Sequence, residues 1–144
     1  MRRTNKGFTL VEMMIVVTII GILSAVAAGK VSDAIRRSIE ARTKGNLAIL
    51  RASISVYVSN TGGIFPTDLN ELTAGPLPVL DKLPLKATPP YHGEGNLVSN
   101  GGNADMASSG GDWFYFNVPS ELEFGTVVVN CIHADLKGNK WSSY

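Results

Sequence analysis

The chain has 144 residues, 44% hydrophobic and 17% charged, with one cysteine, Cys131, and a formal charge of +1. That length holds one modest domain plus an extension, and a lone cysteine excludes an intrachain disulfide. The small net charge hides three zones: a basic start (Arg2, Arg3, Lys6), a stretch at 30–60 with six basic and two acidic residues, and a remainder at 61–144 with four basic against nine acidic residues. A net of −5 there argues against nucleic-acid binding as its main task.

Residues 1–7, M-R-R-T-N-K-G, are short, basic and polar. Phe8 to Gly29 follows as 22 residues with a single charge, Glu12. As a helix this run is about 33 Å long, the thickness of a bilayer's hydrocarbon core. The basic residues ahead of it keep the N-terminus cytoplasmic. From Lys30 onward, Val31, Ile35, Ile39, Leu47, Leu50, Ile54 and Tyr57/Val58 fall mainly at steps of three or four, with charges on the other faces. Asn60-Thr61-Gly62-Gly63 is a strong stop. The pattern predicts one helix over about 8–60, roughly 80 Å long, apolar all round over 8–29 and amphipathic over 30–60.

The remainder, 61–144, reads as a small globular head. Asp68 and Glu71 fit a capping box that opens a short helix over Leu69 and Leu72. Residues 75–111, with five prolines and then a Gly-rich polar run, read as loop. Trp113–Val118 and Gly125–Ile132 are strand candidates, and the tail suits a turn at Gly138-Asn139 and a final short strand. Alternation along Trp113-Phe114-Tyr115-Phe116 predicts two aromatics facing the helix and two facing outward. The expected fold class is α+β: a long N-terminal helix packed on a small head with a short helix and an antiparallel sheet. With no disulfide available, packing, bound ions or neighbouring subunits must hold the head together.

A basic start, an apolar run and Ala25-Val26-Ala27 could suggest an ordinary secretory signal. Glu12 inside the apolar run, and a helical pattern continuing past the supposed cleavage site, speak against it. Gly7-Phe8-Thr9-Leu10-Val11-Glu12, after a short basic leader and before an apolar helix, resembles the class III signal of type IV pilins and type II secretion pseudopilins. The likeness is tight over about residues 1–30 and looser through Leu72. It implies a type IV pilin-like fold and cleavage by a prepilin peptidase between Gly7 and Phe8, with N-methylation of Phe8. The mature chain would begin at Phe8 and keep its apolar helix, first as a lipid-embedded anchor in the bacterial inner membrane and later as the core of a homo-oligomeric filament. An inner-membrane assembly platform and an assembly ATPase are the further partners implied. The product is an extracellular pilus or a periplasmic pseudopilus.

A carboxylate in hydrocarbon or a dry core is costly unless paired or protonated. Its partner in a filament would be the amino terminus of Phe8 on a neighbouring subunit, which also fixes the axial stagger; the alternative is that Glu12 only helps the helix start. Gly21, Ala25 and Gly29 fall four apart, a small-residue ridge that lets helices approach closely, as in many membrane helices. Gly29 stands where many pilins have a proline, so their usual kink is not implied.

No enzyme is expected. His92 and His133 lie far apart in sequence, and Cys131-Ile132-His133 offers two ligands where a zinc site needs more, so the sequence assigns no metal and reads Cys131 as a small buried hydrophobe. Asp105 and Asp112 are weak calcium candidates by likeness to a loop of major pseudopilins, but match no recognisable calcium motif. The function this reading supports is a type IV pilus subunit. The alternative is the major pseudopilin of type II secretion, although the chain lacks its D-P-W-G-like segment, and it also lacks the paired C-terminal cysteines of many pilins. A monomeric membrane-anchored binding protein shares the anchor but gives no reason for a cut at Gly7. So acidic a head argues against nucleic acid as a partner.

Overall fold

The computed structural model describes residues 7–102 and 113–144 and divides into two units, Met1–Ile35 and Arg36–Tyr144. The long helix is a single element, α1, Leu10–Asn60. No proline interrupts it, and it runs unbroken through Gly29. It stops where the sequence predicts. Gly62 adopts φ +72° and the Gly63 N–H donates to the Val58 carbonyl at 2.8 Å, a Schellman ending that glycine makes without steric cost.

In the first unit every described residue is exposed. An 18-residue window of α1 reaches a mean hydropathy of 2.5 with none of it buried, long and apolar enough to cross a membrane.

In the second unit one stripe of α1 is covered: Glu40, Thr43, Leu47, Leu50, Ser53, Ile54 and Tyr57, at steps of three or four with Ser53 beside Ile54. The stripe begins later than its apolar spacing predicts. Val31 and Ile35 are 56% and 54% exposed, and the covered face opens instead on two polar residues. Each is satisfied by distant backbone, as burial requires. Thr43 donates through Oγ1 to the Ala87 carbonyl (2.7 Å) and accepts from the Ala87 N–H (2.9 Å), while Glu40 Oε1 accepts from the Leu136 N–H at 3.0 Å.

A short helix, α2, spans Glu71–Ala74. The expected box between Asp68 and Glu71 does not form, because the helix starts at Glu71 itself. Asp68 Oδ1 instead accepts from the Asn70 N–H at 2.6 Å, and Glu71 reaches back to Thr67 and also accepts from the Tyr57 hydroxyl at 2.9 Å.

Three strands lie within or at the edge of what reads as loop: β1 (Lys86–Thr88), β2 (His92–Gly95) and β3 (Val98–Gly101). Runs of three or four residues, two of them containing glycine, are too short to display a two-residue period, which is why the sequence hides them. β4 (Trp113–Phe116) and β5 (Val127–Val129) fall inside the predicted strands, but shorter. β1 pairs antiparallel with β2. In the other sheet, ordered β3-β4-β5, β4 and β5 are antiparallel while β3 and β4 are parallel, with Val98 opposite Trp113. The tail makes its turn at Gly138, but an isolated bridge between Ala134 and Lys140 and a 3-10 helix at Trp141–Ser143 replace the expected last strand.

The outward aromatic pair does not exist. All four residues of β4 are buried: Trp113 and Tyr115 join the core, and Phe114 and Phe116 pack edge to face, 5.0 Å between centroids. The core gathers Leu47, Leu50, Ile54 and Tyr57 of α1 with Leu69, Leu72 and Leu83, β4, β5 and Trp141. Fully buried leucines such as Leu50 and Leu72 contribute about 1.5–3 kcal/mol each. Proline-rich loops are tied in by polar handles on β4, with Trp113 Nε1 donating to Pro84 O and the Tyr115 hydroxyl to Pro66 O, both at 2.8 Å. Gly125 cannot be replaced cheaply: its φ is +79°, and an added Cβ would lie 2.3 Å from the Phe65 ring.

Candidate functional site

The site is built at the start of α1. Gly7 and Phe8 precede the helix, outside regular structure, and Phe8 is 79% exposed. A Cβ added at Gly7 would meet nothing within 4 Å, so the chain's own packing places no demand for glycine there. Thr9-Leu10-Val11-Glu12 closes a capping box. Glu12 Oε2 accepts from the Thr9 N–H and from its hydroxyl, both at 2.8 Å, and Thr9 Oγ1 accepts the Glu12 N–H at 3.2 Å. This is why α1 begins at Leu10 rather than at Phe8. Among the described residues no hydrogen bond reaches Oε1.

Gly21, Ala25 and Gly29 lie on the same exposed stretch, and a Cβ on either glycine would meet nothing within 4 Å. Among the described residues their smallness serves no packing. Asp105 and Asp112 lie outside the described residues, as do residues 1–6 of the leader.

The second unit brings together what the sequence keeps apart. His92, at the start of β2, meets Cys131 and His133, and one ligand atom from each lies within 4.8 Å of the other two. The sequence counts two ligands and the fold supplies the third. The one signal available is that these are the chain's only cysteine and its two histidines. Nearby, the Asp135 side chain is fully covered. Burial pushes its carboxyl up. The Lys44 ammonium at 2.6 Å, the Tyr144 hydroxyl and the N–H groups of Asn139 and Lys137 outweigh this and hold it well below the usual carboxylate range. Burial pulls Lys44 down, but Asp135 and Tyr144 raise it above its ordinary value. This ion pair is a structural lock between α1 and the tail.

Residues 2–28 match the model of the prokaryotic N-terminal methylation motif. Fimbrial protein EcpC of Eikenella corrodens is 37% identical over 68 residues, which cover 47% of this chain and 44% of that protein. The type IV major fimbrial protein FimA of Dichelobacter nodosus is 43% identical over 58 residues (40% and 37%), and the type IV major alpha-pilin of Moraxella bovis 47% over 50 residues (35% and 31%). The matched stretch spans less than half the length of these curated relatives. No solved structure matches the chain significantly.

A methylation motif followed by an exposed apolar helix and a small α+β head defines the class of type IV pilin-like proteins. The likeness read from Gly7–Glu12 holds: the N-terminal part of this chain is similar to that of type IV fimbrial proteins and pilins. Motif and helix together fit a membrane-anchored precursor.

Proposed function

We propose that this chain is a structural subunit of a type IV pilus. A prepilin peptidase cuts between Gly7 and Phe8 and methylates the new amino terminus. Residues 8–29 anchor the chain in the inner membrane, N-terminus cytoplasmic, until a platform and an assembly ATPase transfer it to an extracellular filament. The observation that carries this reading is the exposure of every described residue up to Ile35, on a helix that is apolar all round to Gly29. Such a surface needs lipid or neighbouring copies, and removing it from lipid requires replacement contacts.

Glu12 then has two successive tasks. In the single subunit Oε2 caps the helix. In the filament the carboxylate also takes the methylated amine of a neighbour's Phe8, neutralising two charges that neither lipid nor a dry core tolerates alone. Gly21, Ala25 and Gly29 let neighbouring helices approach. Relatives named as type IV fimbrial proteins favour a pilus over the secretion pseudopilus.

Mass spectrometry of the native protein tests the processing step. The expected mature chain begins at N-methylated Phe8; a chain beginning at unmodified Met1, with no Phe8 form, overturns the reading. Sheared surface material then separates the two filaments, since a pseudopilus stays periplasmic.

A further inference from the structure

We propose that His92, Cys131 and His133 form a zinc site that clips the head together. All the imidazoles and the only thiol of a 144-residue chain converge on one point, across 39 positions of sequence between His92 and Cys131. A tetrahedral Zn(II), with bonds of about 2.0–2.1 Å to nitrogen and 2.3 Å to sulfur, sets its ligands roughly 3.3–3.6 Å apart. Cys131 Sγ and His133 Nδ1 already stand 3.3 Å apart. The widest separation, at most 4.8 Å, closes by side-chain rotation of about 1 Å.

The scaffold is set for a ligand in ways a chance cluster is not. Cys131 is 1% exposed and its segment is pinned on both sides: its N–H donates to Val129 O (2.8 Å), its carbonyl accepts from Ser142 N (2.9 Å), and the His133 carbonyl accepts from Trp141 N (3.0 Å). The His133 ring is held flat against Tyr91, 4.0 Å between centroids and 10° between planes, while His92 tilts toward it at 5.1 Å. His92 itself is fixed by the β1–β2 ladder opposite Thr88. Orientation of ligands by outer groups is what metal sites require.

The donor set selects the ion. One sulfur and two imidazoles suit zinc, whereas calcium and magnesium take oxygen. Binding converts the Cys131 thiol to thiolate, its proton passing to solvent, and both imidazoles coordinate in their neutral form. The two histidines are half-buried, and water completes the tetrahedron. The clip joins β2 to the segment after β5 and supplies the cross-link that a single cysteine cannot make as a disulfide.

The test uses the full chain in detergent, stripped with a chelator and titrated with Zn(II) or with Co(II) as a spectroscopic stand-in. The expected result is one equivalent bound, a thiolate-to-cobalt charge-transfer band that zinc displaces, and protection of Cys131 from alkylation by zinc. His92→Ala and His133→Ala should each weaken binding by more than the roughly 10–100-fold that loss of an outer-shell partner costs. The alkylation assay needs no variant, so it stands even if a substitution prevents folding. Absence of the cobalt band, with Cys131 alkylated at the same rate with and without zinc, overturns the site. A copper-only site, with an intense Cu(II)–thiolate band and no zinc retention, overturns the choice of ion. Neither result bears on filament assembly.

Discussion

Two stretches of one helix carry opposite instructions. Over residues 10–35, α1 buries nothing, although it holds twelve of the chain's 36 leucine, isoleucine and valine residues. Over residues 40–57 it buries seven, three of them polar or charged. Hydrophobicity alone therefore does not say which part of this helix forms the core of the single subunit. What distinguishes the covered part is the matching of its polar groups: Thr43 to Ala87, Glu40 to Leu136, Lys44 to Asp135. Among the described residues the apolar part makes only local matches of this kind, Glu12 to Thr9 and the Thr18 hydroxyl to the Met14 carbonyl. The second stretch is addressed to its own head; under the proposed function, the first is addressed to other molecules.

Substitutions can break that contrast. The largest effect is expected from Glu12→Ala, which should leave membrane insertion intact and abolish or sharply reduce filaments, counted by immunogold labelling of sheared material. Unchanged filament levels would remove the pairing role. Next, Leu50→Ala should destabilise the head by about 2–5 kcal/mol, whereas Ile20→Ala, on an exposed position, should change its stability by less than about 0.5 kcal/mol. Thermal unfolding of the full chain in detergent, followed by near-UV circular dichroism, measures both. Equal losses would mean that Ile20 contributes to the stability of the head as Leu50 does.

Thr43→Val keeps the shape but strands the Ala87 N–H and carbonyl, so a loss of about 1–3 kcal/mol is expected in the same assay. The smallest effect belongs to Thr9→Val. Removing the box should cost about 0.5–2 kcal/mol of local helix stability and speed amide exchange at the start of α1 without moving the melting temperature of the head.

Much of this was legible in the sequence because it is local. The helix from an apolar run, its stop at Gly62-Gly63 and the strands expected within Trp113–Val118 and Gly125–Ile132 all depend on residues a few positions apart. What was hidden depends on distant partners. Glu40 and Thr43 break the apolar stripe, and only the backbone of Leu136 and Ala87 explains their burial. Phe114 and Phe116 alternate as outward residues should, yet both faces of β4 are covered. His92 sits beside a proline pair in a segment that reads as loop, and nothing within ten residues links it to Cys131. A site assembled from one strand and a distant loop leaves no spacing to read.

In the proposed filament the exposed half of α1 is covered by other copies of the chain. A cryo-electron microscopy reconstruction of sheared filaments carrying this chain should place the helices of many copies together at the axis, with each Glu12 carboxylate within about 4 Å of the Phe8 amine of a neighbour. Filaments in which these helices face outward, or in which Glu12 meets no amine, would contradict it.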